Sequence, residues 1–501
     1  MDQDLGILQI VAAKTQFRNR QLHTLHGHSI KQFAANVLTA AVFICLSQVG
    51  VLGQSTRSKA VLTIRNPPEV LVSIESETPS NSWSFRNSYA GALGLGDRIR
   101  EFQANESGNP VSVKNLAAGE FRLASAVTRV SYAINIAPGS TADLPHISWL
   151  TNDAGMLMLA DLLPDRPEIK RGVAIDFELP EGWQVCSSIS SAGRSFSVSE
   201  PDKAVFMIGR DLRVSSKRDN ETELRLVTQG ERRFSDKEVG SDGLKVLHDY
   251  ERLTGFRLRF TPTIFIAPFH MSGSNWKAET RGSTTMLLLN SEASWKNWRA
   301  QLAIIFTHEL FHLWVPNSLQ LTGDYDWFFE GFTSYIALQE ALKLKLIRFQ
   351  EYLNTLGRVY DSYLSVSDDK SLLEASESRW TSSSSAVYNK GMLVAFVYDL
   401  LLRRESAGAS SLADRYRGLF AKFVDEPADA NLVIIQTLTS SPATSEFSKS
   451  YIESVNRVEL ERMLPPLGIE VTKTSSKTAL QVSKELRDDQ KKFLRSLGYR
   501  K

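Results

Sequence analysis

His308-Glu309-Leu310-Phe311-His312 combines residue types and spacing that suit metal chemistry. The motif lies in LAIIFTHELFHLW, a run that reads as a helix. Residues four apart on a helix share a face, so the two imidazoles can grip one ion. Glu309 sits beside them and can take a proton from a water activated by that ion. With 8 histidines and 56 acidic residues in 501, roughly 0.01 such motifs are expected by chance. A metal site therefore explains the pattern better than two satisfied core histidines do.

Catalytic zinc takes three protein ligands and leaves one position for water. After His312 the chain reads LWVPNSLQLTGDYDWFFEGFTSYIALQEALK. Pro316 cannot continue the helical bonding and should end the first helix. Gly323-Asp324 marks a loop, and Asp326 is placed to cap a second helix from Trp327 to about Lys345. Glu330 falls in the first turn of that helix, where a hairpin of this length can return it to the histidines. A glutamate there also complements the helix dipole without any metal. An unpaired carboxylate in the apolar WFFEGFTSY run would be costly to bury, however, which favours a ligand. Two imidazoles and one carboxylate select zinc over the oxygen-seeking magnesium and calcium, so one Zn2+ per chain is expected.

HELFH followed by WFFEGFTSY resembles the gluzincin metallopeptidases, in which HExxH is followed by a glutamate in an EGxT context. Within that group the chain most resembles the glycyl aminopeptidase family, whose members often carry a C-terminal PDZ domain. Trp83-Ser84-Phe85-Arg86-Asn87-Ser88-Tyr89 and Tyr132 are similar to that family's N-terminal β-domain, and Tyr388-Asn389-Lys390-Gly391 resembles the YxKG segment found in gluzincins. The similarity spans roughly residues 60 to 470. It implies a thermolysin-like catalytic domain acting on a peptide or protein substrate. It also implies that Tyr388 stabilises the tetrahedral oxyanion, a role suited to a phenol aimed at developing charge. The plain alternative for Tyr388 is a tyrosine packed at a helix start. Aminopeptidases of this type carry a strand glutamate upstream of HExxH that binds the substrate amine. The corresponding run, Gly282 to Asn290, has no acidic residue; the nearest are Glu279 and Glu292. That run reads as an edge strand on which Thr285, Met286 and Leu287 would align an extended peptide by β-addition. The expectation is zinc-dependent peptide-bond hydrolysis of the aminopeptidase type. An endopeptidase of the same fold, and a catalytically silent zinc-binding interaction protein, are the alternatives.

At 501 residues the chain should form two to four domains. Its 42% hydrophobic and 23% charged content is that of a folded protein. A net charge of +2 gives no electrostatic basis for binding nucleic acid, and no such partner is expected. Residues Gln32 to Thr56 carry no charge and follow Lys14, Arg18, Arg20 and Lys31. This reads as an export signal cleaved near Gly53-Gln54, or as an uncleaved anchor attaching the chain to a membrane through residues 33–53. A bacterial periplasmic or secreted protein is expected. If Cys45 leaves with the signal, Cys186 stands alone as a buried strand residue and no intrachain disulfide is available.

The elements that must position the motif follow from patterning. Residues 54–235 alternate in short runs such as EVLVSIES and TRVSYAINI, separated by turn signals, and predict an antiparallel β-domain. Residues 236–402 form the catalytic unit, with a helix near Asp242 to Leu253 and a strand at Thr263 to Ala267. Residues 403–470 show helical spacing. The tail, 471–501, is too short for a PDZ domain and reads as a flexible segment ending in a charged amphipathic helix. The fold class is α+β multidomain: an N-terminal antiparallel β-domain, a thermolysin-like α/β catalytic domain and a C-terminal helical domain, with residues 1–53 as signal or anchor.

Overall fold

Period-two alternation builds the first part of the chain. Glu69–Ser84 alternates buried and exposed residues along its first half and pairs antiparallel with Glu120–Asn135. These two long strands centre a nine-stranded sheet that is antiparallel except where Ser58–Thr63 runs beside Val173–Glu178. Trp83, Phe85 and Tyr132 are buried there, and Phe102 stacks on Phe121 with centroids 4.3 Å apart. The computed structural model describes residues 58–139, 144–231, 233–268, 276–289, 295–366, 370–474 and 477–500. The signal or anchor at 1–53, the membrane attachment through 33–53 and Cys45 lie outside them.

A four-stranded sheet separates this layer from a third, five-stranded one. Its strands Ala154–Met158 and Val205–Gly209 are buried along their whole length, because both faces are covered. Leu157, Phe206 and Ile208 face the nine-stranded sheet. Met156, Met158, Val205 and Met207 face the five-stranded sheet. Cys186 is buried on the strand Gln184–Ser187 of this middle layer, where burial pushes its thiol pKa up.

The five-stranded sheet consists of β1 (Arg213–Asp219), β2 (Thr222–Thr228), β3 (Thr263–Pro268), β4 (Trp276–Arg281) and β5 (Thr284–Leu289), in the order β1-β2-β3-β5-β4. Helix α1 (Asp236–Thr254) joins β2 to β3 and makes them parallel. It starts at a capping box between Ser235 and Glu238, ahead of the predicted Asp242, and stops at Gly255 with φ 68°. Strands β1 and β2, grouped with the β-rich part by their alternation, hydrogen-bond into this sheet.

The predicted edge strand is an interior strand. β5 pairs with β3 on one side and with β4 on the other. Met286 and Leu288 pack toward the middle sheet, Leu287 and Leu289 toward the helices. The near-continuous apolar run TTMLLL is the signature of a strand covered on both faces. Thr285, Met286 and Leu287, at 0%, 1% and 2% exposure, are therefore core residues and do not align a substrate. The edge belongs to β4.

Beyond the sheet lie helices α2 (Trp295–Phe311), α3 (Thr333–Lys343), α4 (Phe349–Leu364), α5 (Leu372–Glu377) and α6 (Gly391–Glu405). The helices at Leu412–Phe423, Ala430–Leu438 and Pro442–Tyr451 share one apolar core with α1, α2 and α3. The tail is not the flexible segment expected. Ile469–Lys473 and Thr478–Val482 form an antiparallel hairpin whose backbone approaches Gly357 of α4 so closely that a Cβ there would lie 2.6 Å from the Thr478 carbonyl oxygen. The expected amphipathic helix follows as α7 (Asp488–Ser496), burying Leu494. Among the described residues no helix is long and apolar enough to cross a membrane.

One charge inside the α3 packing makes the fold pH-sensitive. Burial of the Glu340 carboxyl outweighs Lys343, 3.7 Å away, and pushes its pKa up to about 7. The folded chain holds that proton more tightly than the unfolded chain, so stability falls as pH rises from the ordinary carboxylate range through about 7. Glu340→Gln should raise stability by on the order of 3 kcal/mol near pH 8 and change little near pH 4, as read by denaturant melts at both values. A gain of equal size at both pH values would contradict this assignment.

Candidate metal centre

The apolar helix α2 ends in the turn that carries His308, Glu309 and His312. Its partner helix α3 runs antiparallel to it, joined through Thr307, whose hydroxyl reaches the Ala337 carbonyl at 3.1 Å. Tyr250 of α1 donates to the Thr307 carbonyl at 2.8 Å and ties the pair to the sheet side. Between the helices the chain enters a π-helical turn, Trp327–Phe332, which leads directly into α3. The wider turn places Glu330 on the face toward α2, buried at 5% exposure.

Three donor atoms converge. His308 Nε2 lies 3.0 Å from His312 Nε2 and 3.1 Å from Glu330 Oε2; His312 Nε2 lies 3.5 Å from the same oxygen. His312 Nδ1 donates to the Val315 carbonyl at 2.8 Å, because a carbonyl can only accept, and this turns the Nε2 lone pair inward. Two imidazole nitrogens and one carboxylate oxygen directed at one point are the donor set of a zinc site with room for a further ligand. The electrostatics fit a cation at that point. Burial opposes a charge on His312, yet the Glu330 carboxylate raises its pKa to about 9. Burial likewise opposes the charge on Glu330, but His312 and Arg379 hold it well below the usual carboxylate range.

Glu309 lies alongside and is buried. Burial raises its pKa, against the pull of the two histidines. The Thr280 hydroxyl of β4 lies 2.8 Å from the Glu309 carbonyl and 3.1 Å from its Oε2. Thr285 stands behind Thr280 at 3.0 Å, so its part in the site is indirect.

Asp326 does not cap the second helix. Its backbone is already helical and its carboxylate is taken by Arg379 Nη1 at 2.6 Å. Arg379 follows α5 at the start of the turn Arg379–Ser383. Its Nη2 donates to Glu330 Oε1 and to the Tyr388 hydroxyl, each at 2.6 Å. Tyr388 reaches this position because Gly331 and Gly391 let the two chain segments touch. A Cβ on Gly331 would lie 2.6 Å from Gly391 Cα and 2.5 Å from the Val387 carbonyl oxygen. Burial and the Glu330 carboxylate raise the Tyr388 pKa well above the ordinary phenol value, so it is a proton donor at neutral pH.

The site opens into a cleft of about 370 Å³. β4 forms one wall with Ala278, Glu279, Thr280 and Arg281; the β-rich part supplies Tyr89 and His146. Glu279 is held by Arg281 Nε at 2.7 Å and by His146 Nδ1, and Arg281 lies 4.2 Å from the centre of the Tyr89 ring. Burial opposes the Glu279 charge, but Arg281 and His146 keep its pKa below the ordinary value. The sequence carries no sign that His146 and Arg281 join Glu279 and Tyr89 in the cleft. The one available signal was Glu279 itself, in a strand-like stretch next to the run that was read as the edge. Arg379, in the serine-rich SESRWTSSSS, carried no signal beyond being the one cation of that stretch.

No protein-family model and no curated protein matches the chain. Solved structures do. An aminopeptidase N family protein from Idiomarina loihiensis superposes with a TM-score of 0.72 at 19% identity, over 83% of this chain and 79% of that one. An M1 zinc metallopeptidase from Deinococcus radiodurans superposes with a TM-score of 0.51 at 14% identity, over 81% and 95%. A mutant of the latter bound to a Tyr-Ser-Ala substrate gives 0.50 at 15%, over 78% and 92%. At these identities the likeness is one of fold: an N-terminal β-sheet part, a mixed α/β part and a helical part.

Two substitutions test the construction of the centre. Glu330→Ala should weaken zinc binding by about a hundredfold or more in chelator competition while far-UV circular dichroism stays unchanged. Unchanged zinc retention would remove Glu330 from the ligand set. Gly391→Ala puts a Cβ 2.9 Å from Gly331 Cα and should cost about 1–3 kcal/mol. An unshifted thermal midpoint would show that the crossing is not tight.

Proposed function

We propose that this chain is a zinc metallopeptidase of the aminopeptidase type, binding one Zn2+ and cleaving peptide bonds. The observation that carries the reading is the convergence of His308, His312 and Glu330 with Glu309 beside them. When bound, zinc supplies a Lewis acid that makes water nucleophilic near neutral pH and polarises the scissile carbonyl. Glu309 accepts the proton of the attacking water and passes it to the leaving nitrogen; the burial that raises its proton affinity suits both transfers. Tyr388 donates to the carbonyl oxygen as charge develops there. β4, the sheet edge at the cleft, offers its free backbone groups to an extended peptide.

Glu279 supports the aminopeptidase reading. It supplies, from β4, the cleft carboxylate that Gly282 to Asn290 lacks, and it can take a substrate's free ammonium. The fold-mates named above, an aminopeptidase N family protein and a peptide-bound M1 metallopeptidase, support the same class. The motifs HELFH, WFFEGFTSY and YNKG favour the glycyl aminopeptidase branch. The basic-then-apolar pattern of residues 14–53 favours export, cleaved or membrane-anchored. One observation favours an endopeptidase instead: both Glu279 oxygens are already engaged, by Arg281 and His146.

Peptides with free and acetylated N-termini separate these readings. An aminopeptidase cleaves the free-amine peptide and leaves the blocked one intact; equal cleavage of both would establish an endopeptidase. Absence of cleavage with zinc bound would leave a silent peptide-binding protein. Glu309→Gln should retain zinc and lower kcat by about 10²–10⁴-fold. Tyr388→Phe should lower kcat by about a hundredfold with zinc content unchanged; a normal rate would return Tyr388 to a packing role.

A further inference from the structure

We infer that Arg379 is a positioning residue that sets the metal ligand and the oxyanion donor in one gesture; the inference rests on the peptidase reading of this site. Its guanidinium is held by both terminal nitrogens and by ring contacts, while the buried Nε has no hydrogen-bond partner. Cζ lies 4.1 Å from the centre of the Trp380 ring, and 5.5 and 5.3 Å from those of Phe329 and Tyr388. Nη1 donates to Asp326, and the two hydrogens of Nη2 divide between Glu330 Oε1 and the Tyr388 hydroxyl. The side chain is 8% exposed, so these bonds form in a low dielectric, where charge-assisted pairs are strong.

Two consequences follow from that fork. Glu330 has one oxygen committed to Arg379, which leaves Oε2 as the oxygen facing His308 and His312. Arg379 thereby fixes which oxygen is presented to a metal and at what angle, as hydrogen-bond partners of ligating carboxylates do. Tyr388, in turn, accepts from Arg379 through its oxygen, so its own proton is the one it donates, to Glu330 in this structure; the accepted bond strengthens that donor. The backbone is built to hold the arginine there. Ser376 of α5 accepts from the Trp327 N–H at 2.9 Å, joining the segment before Arg379 to the turn that carries Glu330. Lysine cannot replace the fork, because a single ammonium is a point charge without the planar, bidentate geometry.

The test combines Arg379→Lys and Arg379→Met with a Tyr388→Phe background, in the zinc-loaded full chain. Zinc release to a chelator should accelerate by about 10–100-fold in Arg379→Met, a readout that needs no turnover. kcat on a free-amine peptide should fall by a similar factor, with KM within about threefold. In the Tyr388→Phe background the same arginine substitution should lower kcat much less, because its effect passes through that phenol. Arg379→Lys keeps the buried charge, so it should fold and hold zinc better than Arg379→Met yet show a lowered kcat. If Arg379→Met fails to fold, Arg379→Lys decides alone. Wild-type zinc release and kcat in the folded variants would overturn the inference, and multiplicative losses in the double variant would remove its oxyanion half. If the wild type proves inactive on every peptide, the peptidase reading fails, while the zinc-release comparison still judges the ligand-positioning half.

Discussion

Two imidazole nitrogens and a carboxylate oxygen packed within 3.5 Å of one another set the terms for everything around them. The Glu330 carboxylate and His312 stabilise each other's charge, but that attraction alone does not aim all three donor atoms at one point. Here they are held by restraints on their far sides: the Val315 carbonyl on His312, the arginine on Glu330, the Thr307 contacts between the helices that carry them. An apolar core that extends from the five-stranded sheet to the C-terminal helices backs these restraints.

The layering serves the same end. Three sheets are stacked with apolar contacts on both faces of the middle one, and the outermost helices close the stack. Among the described residues, β4 is the edge strand of the five-stranded sheet at the site, and it carries Glu279, Thr280 and Arg281. The β-rich part is thus more than a support. Through Tyr89 and His146 it supplies one wall of the cleft.

What could be read from the sequence was what is local. Helix periodicity alone places His308, Glu309 and His312 together, and the length of the hairpin returns Glu330 to them. The β-rich and helical regions were legible from period two and period 3.6. What was not legible depends on pairing across the chain. TTMLLL has the apolar run of a strand covered on both faces, but which strand takes the sheet edge depends on the position of β4, which pairs with it from outside. Asp326 has every local mark of a cap, and only the approach of Arg379 from beyond α5 takes its carboxylate away. Arg379 and His146 meet their partners through contacts between residues distant in sequence, which no local pattern encodes.

The cleft draws Tyr89, His146, Glu279, His308, Glu330 and Tyr388 from well-separated parts of the chain. Its topology therefore bears on the order in which the molecule comes together. Contacts of such long sequence separation are costly in loop-closure entropy and form late, after the nearer pairings. The metal-binding hairpin between α2 and α3 is comparatively short-range and can close early, whereas the substrate walls wait for the β-rich layers to dock. A newly made chain would then pass through a stage that has its ligands but no finished cleft, and its competence to act would mark the end of folding.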